Sequence, residues 1–165
     1  MGAGKILTVL AALLTILGTY VFASFLMLPG YVGSGIGFIL NLGDLFANAD
    51  AYSTLLSLNI ILYFLILVLF IIFLASGVLI LTGLKNRFAG LIFSLFPLAI
   101  GLMFIFLVYT DILGIKTAFF TIFFTGEHYG NVFPILVSLG DLALGTYLML
   151  GGGVLGVIGA FAGRD

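Results

Sequence analysis

The run Leu55–Thr110, LLSLNIILYFLILVLFIIFLASGVLILTGLKNRFAGLIFSLFPLAIGLMFIFLVYT, decides the fold. Its only charges are in the turn Lys85-Asn86-Arg87. On each side lies an apolar flank of about 20 residues or more, enough to cross a hydrocarbon core about 30 Å thick. Backbone in lipid must satisfy its own hydrogen bonds, so both flanks are predicted to be membrane helices. Two cations in so short a turn predict that it lies on the cytoplasmic side.

Composition agrees. The chain has 165 residues, of which 64% are hydrophobic and 7% charged, far from the balance of soluble domains. A net charge of −1 argues against nucleic acid, whose phosphates demand a concentrated basic face. The absence of cysteine excludes disulfides, thiolate metal sites and Cys nucleophiles. The single histidine, His128, excludes a bis-His haem or a multi-His metal site within one chain. Gly2-Ala3-Gly4-Lys5 lacks the Walker spacing, and Gly33-Ser34-Gly35-Ile36-Gly37 lacks the G-x-G-x-x-G pattern and reads as a flexible linker. Glu127-His128 has no third ligand fixed beside it and reads as a solvated turn. The expectation is a chain with no cofactor and no enzymatic activity.

Working outward from the hairpin, one further crossing is predicted on each side. The first covers about residues 6–28 and stops at Pro29-Gly30. Its start, Lys5 followed by an apolar run, superficially suits a secretory signal, but the run continues to Leu28 as a spanning helix does. Ala11, Thr15, Thr19 and Ala23 recur every four residues and form a face suited to close helix packing. The loop of about 29–53 holds Phe38, Ile39, Leu42, Leu45 and Phe46 at helical spacing, opposite Asn41, Asp44 and Asn48, which predicts a short interfacial helix. The second crossing, about 54–84, is too long for a bilayer, its extra turns carrying Asn59 and Tyr63. The third, about 88–110, contains Pro97 and a predicted kink. The loop of about 111–131 carries Thr117, Thr121 and Thr125 among phenylalanines, again suggesting a short helix.

The last crossing is predicted over about 132–162. Gly152, Gly156, Gly159, Ala160 and Gly163 form small-xxx-small pairs on it, the strongest packing signal in the chain and the expected helix-packing interface. Asp141 falls 23 residues before Arg164, about 35 Å along a continuous helix. It is therefore expected as a buried acid near the far membrane boundary, with Asn59, Tyr63, a helix end or Lys116 as its partner. Lys5, Lys85, Arg87 and Arg164 all fall on one side if four helices cross, and they predict two cytoplasmic termini. The fold expected is an all-α membrane protein: a four-transmembrane-helix bundle with two outer loops carrying short interfacial helical segments, forming one domain over 1–165. This order of crossings and loops is similar to that of claudins and tetraspanins in topology alone, since the first loop has no Trp-bearing signature and no cysteine pair.

The function expected is that of a structural or accessory subunit in the plasma membrane, surrounded by lipid. It would assemble with itself or with larger membrane partners through its small-residue helix faces. The alternative is a small cation channel or transporter whose vestibule is formed by Asp44, Asp50, Asp111, Glu127 and Asp141.

Overall fold

A computed structural model describes residues 2–27, 31–110, 114–124 and 133–163. Four of its helical segments are long and apolar enough to cross a membrane: Ala3–Val21, Ile60–Leu84, Arg87–Thr110 and Leu144–Phe161. The chain is a multi-pass membrane protein built on a four-helix bundle.

The elements run α1 (Ala3–Ile16, continued by a π turn over Leu17–Val21), β1 (Phe25–Met27), β2 (Tyr31–Gly33), α2 (Gly35–Ala47) and α3 (Ala49–Leu55). Then come α4 (Ile60–Leu79, tightening to a 3-10 turn over Ile80–Leu84), α5 (Arg87–Thr110), α6 (Lys116–Phe123), β3 (Ser138–Leu139), β4 (Leu142–Ala143) and α7 (Leu144–Phe161).

Three of the four crossings are shorter than the apolar runs that contain them, each for a local reason. The first helix ends at Val21 rather than at residue 28, because the chain turns into β1 and pairs with β2. The second crossing begins at Ile60, not near residue 54. Ser57 takes φ +54°, the Leu58 N–H donates to the Ser53 carbonyl (2.8 Å) and the Ser57 N–H to that of Thr54 (3.0 Å). That is the Schellman pattern of a helix end, here closing α3. Two residues later the Asn59 side chain accepts from the Ile61 N–H (2.8 Å) and starts α4. The fourth crossing begins at Leu144, not near residue 132. Gly140, at φ +85°, opens the two-residue turn between β3 and β4 in which Leu139 pairs with Leu142. The similar Leu42-Gly43-Asp44-Leu45 lies inside α2, so the sequence echo carries no structural repeat.

The two long connections, between the first and second crossings and between the third and fourth, are not separate. Strands from both join in one antiparallel sheet of order β2-β1-β4-β3, closed in the middle by Phe25 opposite Leu142. This small sheet departs from a purely helical expectation. Gly33 and Gly35 are close-packed rather than flexible. A methyl on Gly33 would strike the Phe25 ring, and one on Gly35 would lie 2.8 Å from the Thr19 carbonyl. Ser34 between them caps α2, its hydroxyl accepting from the Ile36 N–H (3.1 Å). Helix α2 turns Phe38, Asn41 and Leu45 inward and leaves Ile39, Leu40 and Phe46 exposed, so Asn41 is not on a solvated face as its pattern suggests. Its amide donates to the Ile122 carbonyl of α6.

The spans fall into two classes. Segments of 19 and 18 residues (α1 with its π turn, and α7) are about 28 and 27 Å long; those of 25 and 24 residues (α4 with its 3-10 turn, and α5) are about 37 and 36 Å. All four meet at the basic end, where Gly83 approaches both Gly90 and Thr8 and the Gly4 N–H donates to the Gly163 carbonyl (2.8 Å). At the other end of α1 the Tyr20 hydroxyl donates to the Leu74 carbonyl (2.5 Å), well short of the start of α4. The upper turns of α4 and α5 therefore stand above α1 and α7, and the sheet, α2 and α6 fill the step.

Candidate functional site: the α1–α7–α5 seam and the cap above it

Lipid tails are as apolar as leucine, so no hydrophobic force drives one membrane helix onto another; close backbone approach and dispersion must serve instead. Three levels of contact between α1 and α7 meet that requirement. A methyl added to Gly4 would lie 2.8 Å from the Gly159 carbonyl oxygen, and one on Gly159 would lie 3.1 Å from that of Gly4. In the middle, a methyl on Gly152 would lie 2.8 Å from the Ala11 carbonyl and would strike the Thr15 hydroxyl. At the cap end, one on Gly18 would lie 2.6 Å from the Gly145 carbonyl, and one on Gly145 would lie 2.7 Å from that of Gly18. Gly4, Ala11 and Gly18 are seven residues apart, as are Gly145, Gly152 and Gly159. A seven-residue repeat on both helices is the period that keeps one seam facing its partner.

Hydrogen bonds clasp the seam at the cap. The Gly145 N–H donates to Ala23 (2.8 Å), the Ala143 N–H to Ser24 (3.0 Å) and the Thr146 hydroxyl to Ser24 (2.7 Å), all at carbonyls. The other side of α7 meets α5. Gly156 sits against the Ser94 hydroxyl, which itself donates to the Gly90 carbonyl (2.6 Å), and Gly153 sits against Leu98. Gly101 of α5 receives Leu150. Of the expected interface residues, Gly152, Gly156 and Gly159 are occupied by α1 and α5 of the same chain, and Ala160 is buried. Gly163 has open space where a side chain would stand and contributes its carbonyl instead.

Above the seam is a core of rings. Phe25, Phe38, Phe70, Phe104, Phe120, Phe123 and Phe124 are all at most 2% exposed. They come from β1, α2, α4, α5, α6 and the residue after α6, so one cluster joins the cap to the two long helices. Phe70 alone lies within 5.1–6.5 Å, centroid to centroid, of six other rings. Polar edges close the cluster: the Tyr63 hydroxyl donates to the Leu45 carbonyl (2.9 Å) and the Tyr31 hydroxyl to that of Phe124.

Asp141 is not a buried acid. It lies in the hairpin turn before α7, its side chain is 65% exposed, and it pairs with Lys116 at 3.3 Å. The reason is that α7 begins at Leu144, three residues after Asp141, rather than near residue 132. Lys116 also donates to the Val108 carbonyl near the end of α5 (3.1 Å). Lys5, Lys85 and Arg87 gather at the opposite end of the bundle, Lys85 and Arg87 exposed. Arg164, Asp111 and Glu127-His128 lie outside the described residues. Among the described residues no three His, Cys, Asp or Glu side chains are grouped to hold a metal ion.

On the outer side of the cap, the Asp44 carboxylate accepts from the Asn48 amide (2.7 Å) and from the Tyr52 hydroxyl. The hydrogen bond to Asp44 holds the Tyr52 phenol above its ordinary range, with burial and the charge of Asp44 adding to it. The sequence reading missed Gly4, Gly18 and Gly145, although their seven-residue spacing was there to be read. No family model, curated protein or solved structure matches this chain.

Proposed function

We propose that this chain is a structural or accessory subunit of a plasma-membrane assembly, with both termini cytoplasmic, that associates with copies of itself or with larger membrane proteins. The observation that carries the reading is the closeness of the seam. Helices α1, α5 and α7 touch so tightly that a methyl has no room at Gly152, Gly153 or Gly156. A single body with a fixed cap suits a scaffold. A transport path needs polar groups and space near the bilayer midplane, which favours the scaffold over a cation channel.

The small-residue faces are already used within the chain, which moves the contact with a partner to bulkier surface. Ile39, Leu40 and Phe46 on α2, 43–58% exposed beside the acidic rim of Asp44 and Asp50, are the surface we assign to it. The two ends of the bundle support the orientation: Lys5, Lys85 and Arg87 at one, and the cap with Asp44, Asp50 and Asp141 at the other.

The test is co-purification in mild detergent with a topology reporter at each terminus. The expected result is a species larger than one chain, loss of that species in Leu40→Glu with the monomer intact, and cytoplasmic reporters. A monodisperse monomer without companions overturns the assembly reading, and an external reporter overturns the orientation.

A further inference from the structure

Among the described residues the cap holds a mixed cavity of about 270 Å³, lined by Leu26, Met27, Lys116, Thr117 and Asp141. We infer that it is a headgroup site for a zwitterionic phospholipid with a primary amine, of the phosphatidylethanolamine class.

Position comes first. Counting about 20 residues, or 30 Å, from Leu84 along α4 places the far edge of the hydrocarbon near Leu65. Lys116 donates to the Val108 carbonyl, 21 residues or about 31 Å from Arg87 along α5, which puts the cavity at that edge. Two tyrosines mark the same level: the Tyr109 hydroxyl, hydrogen-bonded to Tyr147, is 3.4 Å from the Leu139 carbonyl in the hairpin. Exposed tyrosines collect where tails give way to headgroups.

Chemistry comes second. The cavity has an apolar wall, Leu26 and Met27, and a wall carrying one charge of each sign. It is several times the roughly 30 Å³ share of a water molecule, more than a single ion needs. Lys116 is fixed by Asp141 and the Val108 carbonyl and is 24% exposed, while Asp141 is 65% exposed, so both charges face the opening. Among the described cations Lys116 alone sits at the cap end. A phosphate meets Lys116, an ammonium donates to the Asp141 carboxylate, and the glycerol lies over Leu26 and Met27. A trimethylammonium has no N–H to donate to Asp141, and an anionic glycerol headgroup brings no cation to it. The apolar wall assigns a lipid rather than a free amino-phosphate.

The experiment is native mass spectrometry of the full chain released from bilayers of phosphatidylethanolamine, phosphatidylcholine and phosphatidylglycerol with matched acyl chains. The expected result is preferential retention of the ethanolamine lipid by about tenfold, the scale of one charge-assisted hydrogen bond. Asp141→Asn should bring that preference to within about twofold, Lys116→Gln should weaken retention of all three lipids, and Asp50→Asn should change nothing. Asp141 is the exposed member of the pair, so Asp141→Asn leaves the fold standing. Equal retention of the three lipids, or an undiminished preference in Asp141→Asn, overturns the site. Displacement of the lipid by soluble phosphoethanolamine overturns the lipid assignment.

Discussion

The seam and the ring cluster solve the same packing problem with opposite residues. Along α1 and α7 two regular helices run antiparallel, so small residues at a fixed repeat let the backbones touch along the whole length. In the cap the elements are short and irregular and cannot interlock by a repeat. The space between them is filled by phenylalanines, whose rings span the gaps and pack edge to face. Glycine works where geometry is regular, and large rings work where it is not. The cost of a substitution should follow the same division.

The largest effect is expected in the seam. Gly152→Leu places a side chain where the Ala11 carbonyl and Thr15 already stand, so the helices must part. Overpacking of a close-packed site costs about 1–3 kcal/mol, and contact with backbone puts this site at the upper end. Thermal unfolding in detergent should show severe loss of folded protein. Two controls sharpen the comparison. Ile61→Leu, on a residue 74% exposed, should leave the midpoint in place, and so should Gly163→Leu, which points into open space. If Gly152→Leu unfolds with the midpoint of these controls, the seam does not hold the bundle.

How far the sequence anticipates this division depends on the range of each signal. The crossings are legible because length and apolarity accumulate over some 20 residues, and the glycine-rich character of α7 shows in the same way. The stops are not. Ser57 and Asn59 end one helix and begin another within an apolar run, and Gly140 turns a hairpin inside another. In each case one or two residues and their hydrogen bonds overrule a pattern read over a long window. The sheet is less legible still, since strands of two or three residues carry almost no periodicity and Phe25 and its partner Leu142 are 117 residues apart in the chain. Asp141 is misplaced by this route: continuing the helix through Gly140 turns an exposed, ion-paired turn residue into a buried acid. Lys116 stands among its expected partners because few opposite charges exist at that end of the chain.

A smaller effect is expected in the ring cluster. Phe70→Ala removes a ring that touches six others, and Phe→Ala in a tight core costs about 3–5 kcal/mol in water-soluble proteins. Phe70 lies on a membrane helix and keeps lipid around it in the separated state, so only the lost dispersion and the cavity remain, and about 2 kcal/mol is the expectation. Loosening should be local. Amide exchange should rise in α2 and α6, which meet α4 through these rings, and stay slow in α1 and α7. Equal acceleration in all four would mean that cap and seam unfold as one unit, and the contrast between them would be one of composition only.

The smallest effect lies on the water-facing side of the cap, where neither small residues nor rings do the packing. The Tyr52 hydroxyl donates to the Asp44 carboxylate across one turn of α2 and into α3. Ionising the phenol removes that donor and sets two negative charges together, which is why the Tyr52 pKa is raised above its ordinary value of about 10. Because the folded value is the higher one, the stabilisation is fully present below about pH 10 and is lost as pH rises through the folded value. The pair is exposed, so it contributes less than about 1 kcal/mol. Difference absorbance titration against Tyr52→Phe isolates this phenol from the other tyrosines, and repeating it in Asp44→Asn should move its midpoint down. A midpoint indifferent to Asp44 would show that the α2–α3 corner is held by its helix ends alone, and the cap would then resemble the seam in depending on backbone rather than on side-chain polarity.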